Sequence, residues 1–207
     1  MVTEFERWDA LAAAFATLGS LHRESPDEAH LAAFEGLLDE WPILETNEAR
    51  LGVERIRRSQ ELGEDAETIR RDHDLLYGVS ATAQVAPYES VHRGVDHLVF
   101  DTHTLDVRRA YEALSLSAPN LHREPDDHIG LEFDFMAQAL VMALDAVDAG
   151  RDSGETILIA RSFLHEHLLS WCPAMLDEVA LKATTEFMAG VALLSQGTLR
   201  SAATTLG

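Results

Sequence analysis

The sequence predicts an all-α fold, a single globular helical bundle, and three observations carry that prediction. Apolar residues recur at three- and four-residue steps through most of the chain. Capping residues, prolines and glycines interrupt those stripes at helix-length intervals. No run alternates apolar and polar residues as a half-buried strand does. A chain of 207 residues buries roughly 70% of its unfolded surface on folding. Residues 1–207 are therefore expected to form one domain that needs neither a disulfide nor a metal. No fixed-period repeat or low-complexity segment divides it.

Phe5, Trp8, Ala12, Phe15 and Leu18 fall on one stripe and give a first helix. Ser25, Pro26 and Glu28 supply a cap, a proline at the first helical position and an acid at the third. The second helix then runs through Leu31, Phe34, Leu37 and Leu38 to Trp41, where Pro42 stops it by removing a donor and crowding the preceding turn. A third helix is expected over about 47–62 and a fourth over about 65–77, with Ile69, His73, Leu76 and Tyr77 sharing a face and Gly78 ending it. Residues 79–88 lack periodicity and read as a loop.

A further helix covers about 105–116, and 117–125 forms the second long connection. Ile129, Phe133, Met136, Leu140, Leu144 and Val147 make the cleanest stripe in the chain, closed by Gly150. Asp152 and Glu155 pair as caps ahead of Ile157, Ala160, Leu164 and Leu168, and Pro173 is expected to break that helix near Trp171. A last helix occupies much of the chain from 179 onward.

Charge narrows the function. Thirty-six Asp and Glu against 16 Lys and Arg leave a formal net charge of -20, and Lys182 is the one lysine. Nucleic acid is gripped by cations that release condensed counterions, so this chain meets phosphate with repulsion. The same field disfavours anionic membranes. Such a surface fits a salt-loving host, because concentrated salt screens the self-repulsion; an ordinary acidic cytoplasmic protein is the alternative. The lone Cys172 forms no internal bridge. The N-terminus is acidic and amphipathic rather than a secretory signal, and no run of about 18 apolar residues occurs. A cytoplasmic location is expected.

Three polar and aromatic segments stand out at expected helix ends, where bundles place recognition surfaces. They are 72–78, with Leu76 and Tyr77; 87–92, with Pro87, Glu89, Ser90 and His92; and 124–129, with Glu124, Pro125, Asp126, Asp127 and His128. Each has a structural explanation: Asp126 and Asp127 suit a helix start, Leu76 and Tyr77 suit a buried stripe, and 87–90 suits a turn.

Taken in order, the three resemble the TorD/DmsD family of redox-enzyme maturation chaperones. Glu124, Pro125, Asp127 and His128, followed by Leu131, Phe133 and Met136, resemble its Glu-Pro-x-Asp-His signature and the apolar helix after it. Leu76 and Tyr77 are similar to its aromatic-x-x-Leu-Phe/Tyr pattern, with His73 where an aromatic ring is usual. Pro87, Glu89, Ser90 and Val91 resemble its Pro-x-Glu-Ser-Val-aromatic stretch, with His92 replacing the ring. Phe163, His167, Leu168, Trp171 and Pro173 are similar to a further family run.

The resemblance implies an all-helical chaperone that binds the twin-arginine signal peptide of a molybdenum enzyme in its apo form and holds it back from export until the cofactor is inserted. The nitrate-reductase chaperones are a related branch; the Glu-Pro-Asp-Asp-His form favours TorD/DmsD. No cofactor is implied for the chain itself. A monomer is expected, with a dimer open because the loop at 79–88 is long enough for helix exchange.

The residue chemistry is compatible. Paired arginines followed by an apolar stretch need carboxylates beside an apolar groove. Asp127 is expected to pair with a signal arginine while it also caps, His128 to sit at the groove rim, and Leu76, Tyr77 and Trp171 to line the apolar part. The enzyme alternative is a metal phosphohydrolase built on His73-Asp74, with His22 or His30 upstream and Asp101, Asp126 or Asp127 as distant ligand. His165 and His167 are two apart and do not share a helix face. No nucleophile elbow or phosphate-binding glycine loop is present.

Overall fold

The computed structural model describes residues 3–78, 82–119 and 124–207. Among them the regular structure is helical, and the extended pairing is one antiparallel bridge between Tyr88 and His128. Expectations for 79–81 and 120–123 lie outside the described residues.

Helix α1 (Glu4–Arg23) starts at a capping box in which Thr3 accepts from the Glu6 N–H and the Glu6 carboxylate reaches back. It buries Trp8, Leu11, Phe15 and Leu18, while Phe5 stays exposed. Helix α2 (Glu28–Leu37) is capped by Asp27, which accepts from the His30 N–H. Ser25 is therefore not the cap: the acid two residues later reaches the free N–H, and Pro26 lies before the helix. A 3₁₀ turn (Leu38–Glu40) finishes the segment ahead of Pro42.

Helix α3 (Asn47–Leu62) and helix α4 (Ala66–Tyr77) match their expected spans. Gly78 ends α4 at φ 77°, and a Cβ there would stand 2.6 Å from the Ala83 backbone nitrogen. Only glycine suits both the left-handed turn and that approach.

A short helix α5 (Glu89–Arg93), unmarked in the sequence by any periodicity, follows. Helix α6 (Thr102–Ala113) begins three residues earlier than expected, because Asp101 caps it by accepting from the His103 N–H. Helix α7 (Ile129–Asp148) is the central element, burying Phe133, Phe135, Met136 and Leu140. It packs most extensively on α1, at a crossing where Gly19 and Gly130 face each other's carbonyls.

Helix α8 (Gly154–Phe163) widens into a π turn (Leu164–Leu168) and continues as α9 (Leu169–Lys182), with Pro173 inside it. The expected break does not occur. A mid-helix proline costs about 3 kcal/mol, but the segment around it buries Trp171, Met175, Leu176 and Val179, each worth roughly 1.5–3 kcal/mol.

The expected last helix is two. Helix α10 (Glu186–Leu206) restarts at Thr185, because Asp72 of α4 accepts from the Thr184 and Thr185 N–H groups and from both hydroxyls at 2.7–3.1 Å. Glu64 accepts from the next two N–H groups. Two carboxylates from distant sequence thus satisfy the helix start. The core cluster draws on α1 to α4 and α6 to α10.

Candidate functional site

Backbone hydrogen bonds tie the second and third motif segments together. The Glu89 N–H donates to the Asp127 carbonyl (3.0 Å) and the Ile129 N–H to the Pro87 carbonyl (2.8 Å). This places 87–89 alongside 127–129. The chain after α4 returns along that helix end, where the Val85 N–H donates to the Leu76 carbonyl at 2.9 Å. All three segments therefore meet at one end of the bundle.

A cleft of about 290 Å³ opens there. Arg23 and Glu24, at the end of α1, form one wall, and His73, Tyr77 and Gly78 of α4 another. Pro87 and Tyr88 face Glu124, Pro125, His128 and Leu131 across the remainder. Tyr77, Pro87, Glu124, Pro125 and His128 were singled out in the sequence, and each lines this cleft.

The other five are interior. Leu76 is fully buried. Asp127 is also fully buried, with one oxygen accepting from the Ser90 N–H and the other from the Thr104 hydroxyl, both at 2.7 Å. The expected pairing of Asp127 with an external arginine finds no support in this geometry, since Asp127 is buried behind the cleft wall and does not line it. It caps α5, while His128 caps α7 by accepting from the Gly130 N–H on Nδ1. Glu89 is buried between Arg93 and His167. Ser90 is buried beside it. Trp171 donates its indole N–H to buried Glu132 at 3.2 Å, so neither Trp171 nor Leu76 lines an open groove. These residues hold the cleft wall in place rather than form its surface.

The cleft is polar but electrically quiet on its floor. His22, His73 and His128 cluster around Tyr77, and burial is the first cause lowering all three. His22 and His128 are each lowered to about 3, with mutual repulsion among the three rings adding to burial. Arg23 also pushes His128 down. Neutral imidazoles are what such a pocket holds at pH 7. Burial pushes Tyr77 well up. Tyr88 rises through burial and the carboxylates of Glu124 and Asp127. The carboxyl groups of Glu24 and Glu124 thus stand at the rim, above an uncharged aromatic floor.

Arg23 and Glu24 escaped sequence reasoning, and Tyr88, inside the 87–92 segment, was given no role. The first two close a helix without any motif, and their one signal was the helix end itself.

The enzyme alternative finds no support in this geometry. His73 directs Nε2 to the His22 carbonyl at 3.3 Å, and His22 is spent on Tyr77 and Ser195. Asp101, Asp126 and Asp127 are engaged in a cap, an Arg108 pair and the contacts above. Among the described residues no three ligating side chains assemble for a metal. Burial also drives the Cys172 thiol well up, away from the reactive thiolate. No helix among the described residues is long and apolar enough to cross a membrane.

A family model described as nitrate reductase delta subunit matches residues 43–177. Among curated proteins, "Chaperone protein TorD" of Photobacterium profundum is 30% identical over 102 residues, 49% of this chain and 45% of that one. Its namesake in Aeromonas salmonicida is 34% identical over 108 residues, 52% of this chain and 46% of that one. The protein of the same name in Vibrio cholerae is 24% identical over 142 residues, 69% of this chain and 63% of that one. The matches span about half the length of the first two relatives.

Proposed function

We infer the function from family and cleft together: the chain belongs to the TorD/DmsD family of redox-enzyme maturation chaperones, and its cleft takes the twin-arginine signal peptide of a molybdenum-containing oxidoreductase. In this reading the chaperone acts in the cytoplasm, holding the apo-enzyme for cofactor insertion before export. One observation carries the reading. Three segments far apart in sequence meet on one cleft with Glu24 and Glu124 at its rim and Tyr77, Tyr88, Pro87, Pro125 and Leu131 behind them.

A guanidinium presents five donors in a planar fork, which suits rim carboxylates, and its flat face suits an aromatic wall. The apolar residues after the arginines then have the ring and proline surfaces to cover. Arg23 leaves one cation on the rim and discourages a third positive charge at that point. The surplus of surface acid adds a diffuse attraction that fades in concentrated salt.

Calorimetric titration of the full chain with a synthetic twin-arginine peptide tests this. Changing both arginines to lysine should weaken binding by roughly ten-fold or more, the scale of a lost charge-assisted hydrogen bond. Glu24→Gln should weaken the arginine peptide and leave the helical circular-dichroism signal intact. A folded protein that binds no such peptide defeats the proposal.

A further inference from the structure

A buried chain of hydrogen-bonding groups runs beneath the cleft from α10, joining Ser195, His22 and Tyr77. Ser195 donates its hydroxyl to the Val191 carbonyl at 2.8 Å, so the single serine proton is used. Its oxygen then accepts from His22 Nε2 at 2.8 Å, which places the imidazole proton on Nε2. His22 Nδ1 is left with a lone pair and accepts from the Tyr77 hydroxyl at 2.7 Å. Ser195 and His22 are fully buried, and a neutral imidazole has one donor and one acceptor nitrogen. With the serine proton on the Val191 carbonyl, the order that follows is Tyr77 to His22 to Ser195 to the α10 backbone.

Tyr77 lines the cleft, yet its one proton points inward. We propose that Ser195 and His22 are positioning residues for the cleft, holding the Tyr77 oxygen as an acceptor only, so that the floor selects a donor-rich group such as a guanidinium over a carboxylate. The inference rests on the peptide reading of the cleft.

A second atom on the same wall agrees. His73 Nε2 faces the His22 carbonyl, which can only accept, so that nitrogen carries the proton. Its Nδ1 is left with a lone pair and no hydrogen-bond partner. Asp74 stands 3.9 Å from it, too far for a hydrogen bond. Opposite, His128 Nδ1 accepts from the Gly130 N–H, so His128 Nε2 carries a proton and suits a peptide carbonyl. The α4 side thus carries acceptor atoms, with His73 Nδ1 closed off from solvent, and His128 carries a donor opposite.

The test is a double-mutant cycle read by calorimetry with the twin-arginine peptide. Tyr77→Phe should weaken binding about ten-fold, and Ser195→Ala, acting one bond further away, about three-fold or more. If serine acts through the hydroxyl, Ser195→Ala adds nothing in the Tyr77→Phe background. Equal weakening in both backgrounds overturns the inference, because serine then acts on the fold. A measurement on the unsubstituted chain does not depend on how the variants fold. The ¹⁵N imidazole spectrum of His22 should show Nε2 protonated and Nδ1 bare, and the opposite tautomer overturns the relay. If the folded chain binds no twin-arginine peptide, the peptide reading fails and the selection argument with it, while the tautomer spectrum still reports on the relay alone.

Discussion

The α3–α10 seam and the cleft end of the bundle are built by opposite means. Along the seam small residues let two backbones approach: a Cβ on Gly52 would stand 2.8 Å from the Leu194 nitrogen, and one on Gly190 would stand 2.6 Å from Ile56. The close approach is shape and dispersion, with the ion pairs Arg55–Glu186 and Arg200–Glu48 bridging the two helices at its solvent side. At the cleft end, Glu89, Asp126, Asp127 and Glu132 are all fully buried. They are held by Arg93, Arg108, Thr104, His167 and Trp171. Buried charge adds little net stability even when paired. What the pairs do here is fix where 87–90 and 124–129 lie. The seam supplies stability, and the cleft end exchanges some of it for defined geometry.

Asp72 joins the two regions, and its loss is expected to be the largest single effect. Asp72→Ala leaves two N–H groups and two hydroxyls at the start of α10 without their acceptor. A cost of about 4 kcal/mol is expected, in the range for breaking a buried charged contact. Urea unfolding at pH 7 measures it. A loss below about 1 kcal/mol would mean that water replaces the carboxylate and that α10 does not depend on α4.

Acid should strike the cleft end next. His22 has an ordinary value of 6.5 and is lowered to about 3 in the fold. The unfolded chain therefore takes up a proton below pH 6.5 that the folded chain refuses. This contribution is complete above pH 6.5 and is lost as pH falls toward 3, by about 1.4 kcal/mol per unit. At about pH 4 the loss from His22 is about 3 kcal/mol. His22→Gln should start less stable at neutral pH and show a shallower slope below pH 6.5. An unchanged slope would place the acid sensitivity elsewhere.

Much of this contrast was legible in sequence, but unevenly. Helices α4 and α7 were clear because an apolar stripe ended on a glycine. The α9–α10 break was not, since its stop signal is Asp72, more than a hundred residues away. Pro173 misled for a related reason: a local penalty was outweighed by burial that no local window registers. At the candidate site, the motifs converge on one end of the bundle, with half of the residues singled out lining its cleft and half lying inside its wall. Asp127 looked like a ligand because it is a carboxylate within the Glu-Pro-x-Asp-His segment; only the fold brings Ser90 and Thr104 to its two oxygens. Arg23 and Glu24 were invisible because a helix end becomes a cleft wall only once α4 and α7 are placed beside it.

The seam offers the sharper negative control. Gly52→Ala pushes a methyl against the Leu194 backbone, which cannot swing aside as a side chain could. Overpacking of this kind costs about 2 kcal/mol. Because no titrating group is involved, that loss should be the same at pH 7 and pH 5 in urea titrations. A loss that changed with pH would show that the two regions are energetically coupled.

Glu132 sharpens the comparison with the smallest change. Burial raises its pKa well above 4.5, and the charges of Glu89 and Asp127 raise it further. That direction favours a neutral acid, whose Oε2 accepts from Trp171 while Oε1 is buried without a hydrogen-bond partner. Glutamine has the same shape and keeps an acceptor for the indole. Glu132→Gln should thus change stability by no more than about 1 kcal/mol near pH 5. The sign of the pH dependence follows from the raised value: the folded chain keeps a proton that the unfolded chain releases above 4.5. Wild-type stability therefore falls as pH rises through that window, and the glutamine variant, with no proton to keep, escapes the fall. Its unfolding midpoint should gain on wild type from pH 5 to pH 8. A variant that instead loses ground with rising pH would mean that Glu132 is ionised in the fold, and that the cleft wall holds a charge there rather than a neutral carboxyl.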